Sequence, residues 1–106
     1  MVKVEINPGA CGLKTTLKIT QGEKRKLKVE IESECPQVKA MEEELTELNS
    51  ITECFAKYSK STVYQVAEKY IKHLACPVPT AIIKGMEVTA GFAAEKDVKI
   101  HIEKVL

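Results

Sequence analysis

Tryptophan is absent from this 106-residue sequence, and aromatic residues make up only 5% of it. So few rings offer no platform on which nucleic-acid bases would stack. An excess of charge of one sign is lacking as well: 16 Lys and Arg stand against 15 Asp and Glu, a formal net charge of +1. That balance creates no field to gather nucleic acid or an anionic membrane, and neither is expected as a partner. No apolar run approaches the ~18 residues that cross a bilayer. The sequence opens on Val2-Lys3-Val4-Glu5-Ile6, which alternates as a strand and does not resemble the apolar stretch of a signal peptide, so the expected location is the cytoplasm. No Cys-x-x-Cys pair occurs, which removes the zinc-ribbon and thioredoxin motifs. A phosphate-binding glycine loop, a nucleophile elbow and paired catalytic carboxylates are missing too, so no catalytic residue is assigned.

Apolar residues form 44% of the chain, enough at this length for one domain, residues 1–106, around one core. Their spacing divides it. Val2, Val4 and Ile6 alternate with charged residues, Leu13, Thr15, Leu17 and Ile19 with lysine and threonine, and then Leu27, Val29 and Ile31 with charged residues. The second and third runs predict an antiparallel hairpin with one buried and one charged face. The period then lengthens to that of a helix. Cys35-Pro36 looks like a helix start followed by Val38, Met41, Leu45 and Leu48. Asn49 or Ser50 caps a short second helix carrying Ile51, Cys54, Phe55 and Tyr58, and Ser61 caps a third through Leu74. A fourth runs from about Pro79, with Ile82, Ile83, Met86 and Ala90 inward. Val98, Ile100 and Ile102 alternate again and predict a closing strand. The order β-β-β-α-α-α-α-β implies an α+β two-layer sandwich, an antiparallel sheet packed on helices. The acidic run Glu42-Glu43-Glu44 is expected on a solvated helix face, and Lys24-Arg25-Lys26 in a solvated turn.

The four cysteines fall at telling places. If Ile19 faces Leu27 and Leu17 faces Val29 across the hairpin, Cys11 comes opposite Cys35; a register two residues displaced keeps both at the same end. Cys35 and Cys76 each precede a predicted helix, whose unpaired N–H groups favour a thiolate over a thiol. His73, three residues before Cys76, is expected in the last turn of the preceding helix, where it serves either as a ligand or as a surface residue. Cys54 lies on the apolar stripe of its helix and reads as core, or as a fourth ligand if that helix turns it toward the others. His101 reads as surface.

These stretches resemble the NifU/IscU-type iron–sulfur cluster assembly scaffolds. Such scaffolds place one ligand cysteine in an Ala-Cys-Gly turn before a hairpin, a second after it at a helix start, and a third in a His-Cys pair before a late helix. Here GACGLKTTLKI carries Cys11, ESECPQVKAM carries Cys35, and KHLACPVPTAII carries Cys76 with His73. The sequence departs from that pattern at Leu13, where the scaffolds carry an aspartate, and in the two residues between His73 and Cys76. The chain also looks like a small bacterial and archaeal family with the same cysteine layout. More distantly, it is similar to Cys-Pro-containing modules attached to some ribonucleotide reductases. The resemblance implies a metal- or cluster-binding protein with Cys11, Cys35 and Cys76 as ligands and His73 or Cys54 completing the set. Its cofactor would be an iron–sulfur cluster or Zn²⁺, and its partners a client or a sulfur-donor protein. Two other readings of the same cysteines stay open. One is a thiol redox or sulfur-carrier protein, using a Cys11–Cys35 disulfide or a persulfide. The other is an interaction domain whose cysteines pack.

Overall fold

A computed structural model describes all 106 residues. Strands β1 (Val2–Ile6), β2 (Thr15–Gln21), β3 (Lys26–Ser33) and β4 (Leu48–Asn49) form one antiparallel sheet in sequence order. Helices α1 (Pro36–Ala40), α2 (Ser50–Cys54), α3 (Thr62–Tyr70) and α4 (Val78–Thr89) provide the second layer. Alternation explains the sheet's two faces. Leu17, Ile19, Leu27, Val29 and Ile31 are buried against the helices, while Lys18, Lys28 and Glu30 face water. Val38, Met41, Val63, Val66, Val78, Ile82 and Met86 close the core from the helical side. Asn49 accepts from the Thr52 N–H at 2.9 Å and Ser61 from the Tyr64 N–H at 3.2 Å, so both expected caps form.

The hairpin keeps the expected faces but not the expected register. Leu17 lies opposite Ile31 and Thr15 opposite Ser33, two residues beyond the pairing read from the sequence. The turn is the reason. Lys26 donates to the Glu23 carbonyl at 3.1 Å, and the residues between, Lys24 and Arg25, both have positive φ (53° and 64°). Two left-handed residues suit the twist of a hairpin but usually require Asn-Gly. Gly22, the residue that signals a loop, instead pairs within the hairpin by donating to the Lys26 carbonyl at 2.8 Å.

The first predicted helix is broken. After α1 the chain tightens into a 3-10 turn over Met41–Glu44, and Leu48 enters β4 instead of continuing a helix. Competition from the sheet edge accounts for this. The Glu42 carboxylate accepts from the Ile31 N–H at 2.6 Å and from Lys39 Nζ at 2.7 Å, and the Leu45 carbonyl accepts from the Val29 N–H at 2.9 Å. Glu44 is likewise engaged, with Lys69 at 2.7 Å and the Tyr70 hydroxyl at 2.6 Å. Only Glu43 of the acidic run faces water as expected.

The closing strand does not form. Residues 93–106 make no helix or strand, and Val98, Ile100 and Ile102 are exposed. Alternation sets which residues share a face, but a strand also needs a neighbour to bond.

Helix α4 lies across β1 and β2 at very short range. A Cβ on buried Gly85 would come within 2.5 Å of Ile19 Cδ1 and 2.7 Å of Val4 Cγ2. Gly85→Ala should therefore lower stability by about 1–2 kcal/mol in urea denaturation, because overpacking outweighs the better helix propensity of alanine. The double change Lys24→Asn, Arg25→Gly should raise stability by about 1 kcal/mol in the same assay, by removing two side chains from left-handed backbone.

Candidate metal- or thiol-binding site

Cys11 lies in an exposed turn closed by the Gly12 N–H donating to the Gly9 carbonyl at 2.9 Å. Gly9 and Gly12 have φ of +88° and +67°, and nothing lies within 4 Å of where a Cβ would stand. The glycines are thus needed for backbone conformation, not for close approach of another group. The turn leads into β2, and the Lys14 carbonyl still accepts from the Glu34 N–H at 3.0 Å. That bond carries the pairing one step past Ser33, toward Cys35.

Cys35 is half-buried at the cap of α1. Its backbone N–H donates to Ser33 Oγ at 3.0 Å, and the same hydroxyl meets Thr15 Oγ1 at 2.7 Å. Ser33 thereby fixes the exit of β3 and the place of Cys35, a role its sequence position signals only as a Ser two residues ahead of a chain reversal. Helix α1 has five residues, so the expected help from a helix terminus is slight here.

Cys76 is half-buried just before α4, and its N–H donates to the His73 carbonyl at 3.1 Å. Gln37 in α1 accepts from the Lys72 N–H at 3.0 Å, tying the segment ahead of Cys76 to the helix that follows Cys35. Nothing in sequence spacing couples residues 37 and 72. Burial pushes the Cys76 thiol above its ordinary value. The Val78 backbone N–H, bonded to it, works the other way, and the nearby charges of Cys35 and then Cys11 add to the rise. The expectation that a helix start would favour thiolate at Cys76 fails, since burial outweighs one N–H. Cys76 thus lies within electrostatic reach of both Cys35 and Cys11, two thiols from distant parts of the chain.

Cys54 does not join them. It closes α2 near the turn end of the sheet, where the Ser50 N–H donates to the Arg25 carbonyl at 2.9 Å. Burial first, then the carboxylates of Glu87 and Glu53, push its thiol up to about 11. Glu53 itself is buried and structural, accepting from Ser61 Oγ at 2.6 Å and the Val63 N–H at 2.9 Å. His73 is exposed and lies past the end of α3, which stops at Tyr70, so the expected placement in a final helical turn is corrected. Lys72 leaves the helical path where Gln37 captures its N–H. No three His, Cys, Asp or Glu side chains stand close enough together to hold a metal ion in this conformation.

The model of a family of unknown function, DUF6951, matches residues 2–102, nearly the whole chain. The chain belongs to that family. DUF6951 here spans all four strands, all four helices and every cysteine. No curated protein and no solved structure matches the chain.

Alkylation reads the different thiol environments. Against an ordinary value of 9.0, the rise of Cys54 to about 11 leaves roughly 100-fold less thiolate at pH 8, of which higher intrinsic nucleophilicity recovers about half on a logarithmic scale. Iodoacetamide at pH 8, followed by mass spectrometry of peptides, should modify Cys54 about tenfold more slowly in the folded chain than in urea, and exposed Cys11 first of all.

Proposed function

We propose that this protein binds a metal ion or an iron–sulfur cluster through Cys11, Cys35 and Cys76. The observation that carries the reading is geometric: the Glu34–Lys14 bond sets the Cys11 turn and Cys35 at one end of the hairpin, and the Lys72–Gln37 bond ties the segment ahead of Cys76 to the helix that follows Cys35. Ionising three such neighbours builds up mutual repulsion, and a bound cation relieves it. Soft sulfur donors suit Zn²⁺ or an iron–sulfur cluster. The donors do not yet share one coordination sphere. Binding would draw the exposed Cys11 turn onto Cys35 and Cys76, which the Gln37–Lys72 bond already holds near each other. The resemblance of these three cysteine segments to the NifU/IscU-type scaffolds supports the same ligand set and a role in holding a cluster for a client. The exposed His73 supplies a fourth donor beside Cys76 if the loop turns its imidazole inward, whereas the charged neighbours of Cys54 are the carboxylates of Glu87 and Glu53.

Anaerobic titration with Co²⁺ tests this. About one ion per chain with sulfur-to-metal charge-transfer absorption is expected, lost in Cys35→Ser and Cys76→Ser and retained in Cys54→Ser. Apparent affinity should climb as pH rises, because each bound thiol must first lose its proton. A chain that shows neither this absorption nor that of a cluster after anaerobic reconstitution overturns the proposal. A Cys11–Cys35 disulfide or a persulfide on protein isolated with its thiols trapped would favour sulfur transfer or redox chemistry instead.

A further inference from the structure

The two edges of the sheet are finished differently. Along β3, β4 pairs with Lys26 and Leu27, the Leu45 carbonyl takes the Val29 N–H, Glu42 takes the Ile31 N–H, and Lys39 Nζ donates to the Ile31 carbonyl at 2.8 Å. Little is left there for a further strand. The opposite edge belongs to β1, which pairs with β2 alone. Val2, Val4 and Ile6 are only half-buried, whereas the matching positions of β2 and β3 are buried. An open edge of this kind is a template for another strand.

A segment of matching character stands free in the same molecule. Val98-Lys99-Ile100-His101-Ile102 repeats the alternation of Val2-Lys3-Val4-Glu5-Ile6 over the same length. Val98, Ile100 and Ile102 are 57%, 74% and 89% exposed. No backbone hydrogen bond joins residues 93–106 to the rest of the chain, and the segment's ion pair, His101 with Glu103 at 3.6 Å, is internal. The family match extends through Ile102, the last apolar position of the alternation.

We propose that β1 receives residues 98–102 of a second copy of this chain, and that the exchange is reciprocal, giving a two-fold dimer. Charge favours the antiparallel arrangement. With Val4 opposite Ile100, Glu5 falls opposite Lys99, and all three apolar residues of each strand share the face toward the helices. The chain's own segment is poorly placed to do this. Helix α4 starts by the thiol corner, crosses Val4 and Ile19 at Gly85, and ends toward the Val2 end of β1. A strand returning from there would run parallel to β1 and bring Lys3 beside Lys99. A two-fold partner supplies the antiparallel direction, and the reciprocal exchange gives β1 of each copy a second neighbour.

Sedimentation equilibrium with reductant and EDTA present, to remove disulfide and metal bridges, tests the proposal. A full chain near twice 11.8 kDa is expected, against monomers for the chain ended at residue 96 and for Ile100→Lys. Both changes fall on exposed residues outside the core, so the variants keep their fold, which circular dichroism checks. A monomeric full chain overturns the proposal, and so does a dimer that survives both changes. Slow amide exchange at residues 98–102 in a monomer would assign the segment to its own β1 and overturn it equally.

Discussion

The contact of Gly85 with Val4 and Ile19 governs how the two layers meet. Helix α4 can settle on β1 and β2 only because one residue on its inner face has no side chain. Its height and tilt follow from that contact, and with them the position of its first turn. Cys76 stands just ahead of that turn, so the sulfur is placed by packing about two and a half helical turns away. Ile82 and Met86, buried on either side of the glycine, hold the seating.

At the corner itself two tendencies compete. The start of α4 offers Cys76 an N–H bond that favours the thiolate, while the half-buried setting and two neighbouring thiols favour the protonated form. Burial wins. The outcome at Cys76 is a thiol that holds its proton, a different device from the activated nucleophile that a helix start alone would imply. Cys54 shows the contrast. It is also half-buried, but its neighbours are the carboxylates of Glu87 and Glu53, so nothing nearby supplies a second sulfur.

Alternation made the sheet legible in advance, together with its buried face, the caps at Asn49 and Ser61 and the gathering of Cys11 and Cys35 at one end. The hairpin register was not legible, because the turn uses Lys24 and Arg25 in a conformation that their side chains disfavour, while Gly22 sits elsewhere. The break after Ala40 was hidden for a related reason. Val38, Met41 and Leu45 are spaced as on a helix and all three are buried, yet Glu42 and the Leu45 carbonyl bond to β3 instead of completing one. At the site, the approach of Cys76 to the other two thiols depends on Gln37 meeting Lys72, a tertiary contact with no local signature. Residues 97–106 carry the pattern of a strand without a partner in the monomer, so a correct reading of facing residues still gave one strand too many.

Glu42 has a consequence for behaviour in acid. Its carboxylate acts as a piece of sheet backbone, capping the Ile31 N–H, and the bond from Lys39 followed by that from Ile31 holds its pKa below the ordinary 4.5. A depressed carboxylate lends its stabilisation in full above the unfolded value and surrenders it as pH falls through the folded one. Only acid strong enough to protonate this depressed carboxyl therefore unseals the β3 flank, and exchange of the Ile31 amide with solvent would report it. In that state the protein presents a second sticky border, and clumping at low pH would begin there.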